Sequence, residues 1–176
     1  MEPRPYDMYT HRESIHIDAP PERVFAIVGD LATSAEWAGS GQVKSITKTS
    51  AGPVGVGTTY RANERIVLPI TSISEIVAYE PNKLIMWTSL PTAVKKSPPH
   101  RWMFQLEPED GGTRLSQEVR AARCVGLERV LQVIMVNISG GLEPMGSGMK
   151  RTLENIKHRA EASTLTTMEG ESAAPA

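Results

Sequence analysis

One cysteine, Cys124, in 176 residues leaves no partner for a disulfide within the chain. A protein so poor in thiols suits a reducing compartment. Surplus charge of either sign is missing too: the formal net charge is −1, which offers no basic footprint for a nucleic acid. No hydrophobic run approaches the roughly 20 residues that span a bilayer. The longest apolar-rich stretch, around Val130 to Ile138, is broken by Gln132 and Asn137. The first residues, MEPRPYDMYTH, have no apolar core of the kind a secretory signal carries. These absences describe a cytoplasmic protein with no nucleic-acid partner and no integral membrane segment. Its 40% apolar content is enough for the core of one domain.

Reaction motifs are equally scarce. His11, His16, His100 and His158 are scattered, with neither H-E-x-x-H nor C-x-x-C, so no metal site is expected. An iron site of two histidines and a carboxylate fails on the same spacing, and no cofactor motif is present. Gly52-Pro53-Val54-Gly55-Val56-Gly57 is glycine-rich, but it precedes a strand, whereas a phosphate cradle must open a helix. Ser147 between Gly146 and Gly148 lacks the strand–turn–helix setting of a nucleophile elbow. Those glycines are expected to let a helix approach the sheet closely.

What is present is period. Residues 100–107 alternate His100, Trp102, Phe104 and Leu106 against Arg101, Met103 and Gln105, and residues 113–121 put Leu115, Gln117, Val119 and Ala121 on one face. A turn at 108–112 joins these two strands. Further strands read at 12–18, 43–49, 58–67, 72–79 and 84–88, and a proline-rich loop at 90–99. Two short helices follow the first strand: Asp18 or Ala19 opens one, with Pro20-Pro21 in its first turn and Val24, Phe25 and Val28 inward, and Asp30 caps a second ending near Trp37. Leu142, Met145, Met149, Leu153, Ile156 and Ala160 recur at gaps of three and four, which marks a long amphipathic helix. Ser139-Gly140-Gly141 and Pro144 separate it from a shorter leading helix carrying Leu127, Val130, Leu131, Ile134 and Ile138. Tight turns imply antiparallel neighbours, so the class is α+β. Residues 1–11 read as an N-terminal arm, 12–162 as the domain, and the small, polar stretch 163–176 as a disordered tail.

Candidate functional residues are polar groups on faces that the pattern turns inward. Tyr60, Ala62, Glu64 and Ile66 share one face of the third strand, His100 shares that of Trp102 and Phe104, and Gln117 that of Leu115 and Val119. A carboxylate under an apolar roof is costly unless paired, and its pKa rises. Glu64, His100 and Gln117 would then orient a ligand, with Glu64 and His100 as the candidate acid/base pair. The alternative puts Glu64 at a cavity mouth and His100 in water at a strand end. Trp102 reads as cavity wall or plain core, Trp37 as structural, and Trp87 has no defined direction. Met145 and Met149 face the sheet, as an adaptable wall or as gap-filling core.

The order of strand, two short helices, six strands and a long helix is that of a helix-grip fold. Ile17-Asp18-Ala19-Pro20-Pro21-Glu22-Arg23-Val24-Phe25, then Asp30 and Glu36-Trp37, resembles the opening of the SRPBCC (START-like) superfamily. Val54-Gly55-Val56-Gly57-Thr58, Glu80-Pro81, Trp102-Met103-Phe104 and Gly111-Gly112-Thr113-Arg114-Leu115 are similar to its later landmarks. Gly148-Met149 through Thr152-Leu153, with Ile156-Lys157, resembles the last helix of the polyketide cyclase/dehydrase branch. The resemblance implies a seven-stranded curved antiparallel sheet wrapped on the C-terminal helix. It also implies a hydrophobic or amphipathic small molecule, lipid- or polyketide-like, bound between them by a monomer or homodimer. The residues expected to line that site are Tyr60, Glu64, His100, Trp102, Phe104, Gln117, Met145 and Met149. A polyketide aromatase/cyclase and a filled interaction module are the alternatives. Small inward residues, Ala62 and Ala121, favour free volume over a filled core.

Overall fold

In the computed structural model, which describes residues 8–65, 68–92, 100–122 and 145–171, strand β1 (Met8–Ile17) leads into helix α1 (Pro21–Val28). Pro21 occupies the first helical turn, where a missing N–H costs nothing. Asp30 then caps a short 3-10 helix, Leu31–Glu36, its carboxylate accepting from the Ala32 amide at 2.9 Å. Strands β2 (Val43–Lys48), β3 (Thr59–Arg65), β4 (Pro69–Glu80), β5 (Leu84–Pro91), β6 (His100–Glu109) and β7 (Gly112–Ala122) follow, and helix α2 (Met145–Glu171) comes last. All pairings are antiparallel in one seven-stranded sheet of order β1-β7-β6-β5-β4-β3-β2. The α+β helix-grip architecture expected from the sequence is the one found.

The β6–β7 turn shows why these residues close a hairpin. Asp110 and Gly111 have φ of 46° and 79°, the left-handed pair that matches the twist of the flanking strands. At the β4–β5 turn Asn82 takes the same role with φ 63°. A register shift between Ile76 and Ala78 bends β4.

Two boundaries differ from the sequence reading. β1 begins at Met8 rather than residue 12, so the last residues of the expected arm belong to the sheet. Backbone pairing of Met8, Tyr9, Thr10 and His11 with β7 carries the strand on where side-chain polarity hides it. Helix α2 also continues to Glu171, past the expected end near 162. Its apolar stripe stops at Ala160, but no glycine or proline interrupts the backbone between there and Gly170, and helix propagation costs little once a nucleus exists. Cys124, the expected leading helix of Leu127 to Ile138, Leu142, Pro144, Ile66 and most of the loop before Pro99 lie outside the described residues, as do the side chains of Ala121 and Met145.

One hydrophobic cluster joins the layers. Val24, Phe25 and Val28 of α1, Leu31, Trp37, Ile17, Ile76, Ile85, Phe104, Leu106 and Leu115 meet Leu153, Ile156 and Ala160 of α2. Each large side chain removed from water in this way contributes about 1.5–3 kcal/mol. Trp37 sits edge-on to Phe104, centroids 5.6 Å apart, while its indole N–H donates to Thr33 Oγ1 at 3.1 Å. The structural role expected for Trp37 is the one observed. Among the described residues no helix is long and apolar enough to cross a membrane.

Candidate functional site

Directly opposed residues of an antiparallel sheet point to the same face. The register therefore sorts the concave face, against which α2 lies, into ranks across the strands. One end is apolar: Ile17, Thr113 and Pro108 form a rank, and Ile15, Leu115 and Leu106 the next. Then comes the rank Glu13, Gln117, Phe104, Ile85 and Tyr79, followed by His11, Val119, Trp102, Trp87 and Ile76. His100, Ser89, Ser74 and Tyr60 make the next, Ser72 and Ala62 another, and Glu64 the last. Polarity is thus gathered at one half of the concave face, and the packed core at the other.

The expected residues separate by environment. Gln117 is 6% exposed, and its amide oxygen has no hydrogen-bond partner among the described residues. Leaving a buried acceptor unsatisfied costs about 1–3 kcal/mol. Trp102 and Trp87, both half-buried, stack with centroids 6.4 Å apart and planes 14° from parallel. This fixes the inward direction of Trp87, which alternation alone left undefined. Phe104 is fully buried, with Trp37 on one side and Trp87 on the other at 5.6 Å each, so the structure places it in the core. Tyr60 is also fully buried, and its hydroxyl donates to Asp30 Oδ1 at 3.0 Å. Burial first, and the Asp30 carboxylate second, hold its phenolic proton far more tightly than usual. Tyr60 is a strut between β3 and the cap of the 3-10 helix rather than an open ligand contact. Met149 is buried on α2, next to Thr152 and Leu153.

Glu64 and His100 both turn inward, as expected, but they are not a pair. Strands β4 and β5 lie between them, about 14 Å across the sheet before curvature. Glu64 accepts from Ser72 Oγ at 3.0 Å, and burial pushes its carboxyl above the usual range while that hydrogen bond pulls the other way. Burial alone lowers His100, which keeps the imidazole neutral near neutral pH.

The raised Glu64 carboxyl has a measurable consequence. With a folded pKa above the unfolded one, the folded state holds the proton longer. Stability is then unaffected below the ordinary carboxylate range, near pH 4, and declines as pH rises from there through the folded pKa. Glu64→Gln should lack that decline, so chemical-denaturation midpoints of the two proteins should coincide in acid and diverge in the variant's favour towards neutrality. Parallel curves over that whole range would sink the assignment.

A hydrogen-bonded acid/base pair does exist, at a place the sequence reading missed. His11 Nε2 and Glu13 Oε1 lie 2.8 Å apart on β1, with Glu13 directly opposite Gln117. The first turn of α2 comes down on them: a Cβ on Gly146 would sit 2.7 Å from His11 Nε2 and 3.2 Å from Glu13 Oε1. Gly146 therefore makes the close approach expected of it, whereas Gly148 packs at ordinary distance against Ser40. The signal was available, since the inward set Ile17 and Ile15 runs back through Glu13 and His11 with unbroken period. Among the described residues no three histidine, cysteine or carboxylate side chains converge as metal ligands would.

A curved antiparallel sheet gripping one C-terminal helix, with an aromatic and polar half facing it, defines a helix-grip domain. A family model described as polyketide cyclase/dehydrase and lipid transport matches residues 8–161, and the chain belongs to that family. The branch expected from the sequence is the one matched. The chain is 34% identical over 95 residues to the uncharacterized protein Rv0088 of Mycobacterium tuberculosis. That match covers 53% of this chain and 39% of Rv0088, so the chain spans well under half of that relative. Two solved structures share the fold. TTHA0849 from Thermus thermophilus has a TM-score of 0.64 at 18% identity, over 88% of this chain and 99% of its own. Zhui aromatase/cyclase from Streptomyces sp. R1128 has a TM-score of 0.62 at 15% identity, over 88% and 94%.

Proposed function

We propose that this domain binds an amphipathic small molecule, lipid- or polyketide-like, in the space between the polar half of its concave sheet face and α2. The observation that carries this reading is the division of that face. Trp87 and Trp102 keep part of their surface open between the ranks of inward Gln117 and His100, with Glu64 further along, while Leu106, Leu115, Ile17 and Thr113 at the other end are closed core. Apolar walls with a few placed polar groups are what small-molecule sites are made of. A filled interaction module would leave no reason for half-buried tryptophans and an unsatisfied amide to face inward. The family's description, which includes lipid transport, supports the same reading, and the single cysteine suits a cytoplasmic setting.

Native mass spectrometry of freshly purified protein, with tryptophan-fluorescence titration of any ligand it releases, tests this. Trp102→Ala should weaken binding by about 1–3 kcal/mol through lost contact area. Unchanged affinity in that variant would remove the site from this half of the sheet.

An aldol cyclase/dehydratase is the second reading, and the His11–Glu13 pair favours it, as does a carboxyl at Glu64 inclined to keep its proton. Turnover of a polyketone substrate that falls by about 10²–10⁴-fold in Glu64→Gln, with binding intact, would select it.

A further inference from the structure

Three inward groups, His11, Glu13 and Gln117, meet at the β1–β7 edge. Gln117 presents a buried oxygen with no partner among the described residues. Glu13, directly opposite, is a carboxylate and can only accept. His11 Nε2 donates to Glu13 Oε1 at 2.8 Å and leaves the other lone pairs of that carboxylate open. The site thus offers the partnerless Gln117 oxygen and the remaining lone pairs of Glu13 to a proton donor. It also repels an anion, because a carboxylate or phosphate brought here would add like charge and more acceptors.

The aromatic platform stands at a matching distance. Trp102 is one rank from Phe104, the residue opposite Gln117, so indole and amide are diagonal neighbours across adjacent strands. Such pairs lie about 7–8 Å apart at the backbone. A flat or apolar body resting on the Trp87–Trp102 stack would hold a polar substituent over Gln117. Above them the first turn of α2 at Gly146 closes on His11 and Glu13, which limits that substituent to a small group.

We propose that His11, Glu13 and Gln117 form the head-group site of the bound ligand, and that they select a small hydrogen-bond donor, a hydroxyl or an ammonium, against a carboxylate. This rests on the ligand-binding reading above and adds which end of the ligand faces β1. Fatty acids and other apolar anions are then poor ligands, and alcohols, phenols or amines of the same body are good ones.

Fluorescence titration of the full chain with four probes of one skeleton tests it: naphthalene, 2-naphthol, 2-naphthylmethylamine and 2-naphthoate. Naphthol or the amine should bind at least 10-fold more tightly than naphthoate. Equal binding, or a preference for naphthoate, overturns the proposal. Glu13→Gln should lower amine affinity about 10-fold and change naphthol by less than 3-fold, and an unchanged amine affinity would remove Glu13 from the head-group site. Gln117→Met, of similar length and without the oxygen, should bring the donor-to-naphthoate ratio close to that of naphthalene-like, unselective binding. An unchanged ratio in a folded Gln117→Met protein overturns the role of Gln117, and the wild-type ratios stand without that variant. If naphthalene and all its derivatives fail to bind, the ligand-binding reading itself falls. If naphthalene binds and the derivatives are not discriminated, the head-group site alone falls.

Discussion

Phe104→Ala is expected to destabilise the domain by about 3–5 kcal/mol, the range for removing a buried aromatic ring from a packed core. The residue has no solvent exposure and contacts an aromatic ring on each side, Trp37 edge-on and Trp87 tilted, both at 5.6 Å. Truncation leaves a cavity between two large side chains fixed to different elements, so neither closes it without the other moving. A melting temperature lowered by roughly 6–20 °C would follow, taking about 2–4 °C per kcal/mol for a chain of this size. The measurement also bears on function. Phe104 lies between the packed ranks and the tryptophan stack, so it supports the ligand wall from behind. Loss of ligand affinity with an unchanged melting temperature would instead mean that the ring touches ligand directly and that the division of the concave face lies one rank further down.

That division shows what the sequence made legible. Alternation in 100–107 and 113–121 put Trp102, Phe104 and Gln117 on one face, and the register confirms it, because a buried face punishes a slip of one residue at every position. Parity, however, says which way a side chain points and not what it meets. Tyr60 and Glu64 share a face of β3, yet Tyr60 is spent on Asp30, thirty residues earlier in the chain, while Glu64 meets Ser72. Nothing local to β3 distinguishes them.

His11 was missed for the converse reason, and Glu13, inside the expected strand, was passed over because only Ile15 and Ile17 marked its inward face. A strand whose inward residues are polar looks like a hydrophilic arm, since hydrophobic alternation is the signal by which half-buried strands are recognised. Polar inward positions are what a binding half requires, so the rule that finds the core fails at the site. The pairing of Glu64 with His100 failed on distance instead. Two polar groups on inward faces of β3 and β6 are neighbours only if the sheet order makes them so, and β4 and β5 intervene.

Gly39→Ala should cost about 1–3 kcal/mol, the usual penalty for overpacking, and its direction is fixed by what a methyl group would strike. A Cβ at this position would come within 2.4 Å of the Thr152 backbone nitrogen and 2.5 Å of Arg151 Cβ. The first of these is helix backbone, which cannot swing aside as a side-chain tip does. The Gly39 amide donates to Thr152 Oγ1 at 2.8 Å, its carbonyl accepts from Arg151 Nε at 3.0 Å, and Asn155 Nδ2 donates to the Trp37 carbonyl at 3.2 Å. This seam holds α2 to the segment after the 3-10 helix, and so sets how far the first turn of the helix stands above His11 and Glu13. Alanine must push α2 outward or break the seam. Calorimetry should show a lower melting temperature, by about 2–12 °C at 2–4 °C per kcal/mol. Ligand selectivity should weaken with it, because a raised helix no longer confines the head group. A variant of unchanged stability would mean that α2 already rides higher above residue 39, and the confinement argued for the β1–β7 edge would go with it.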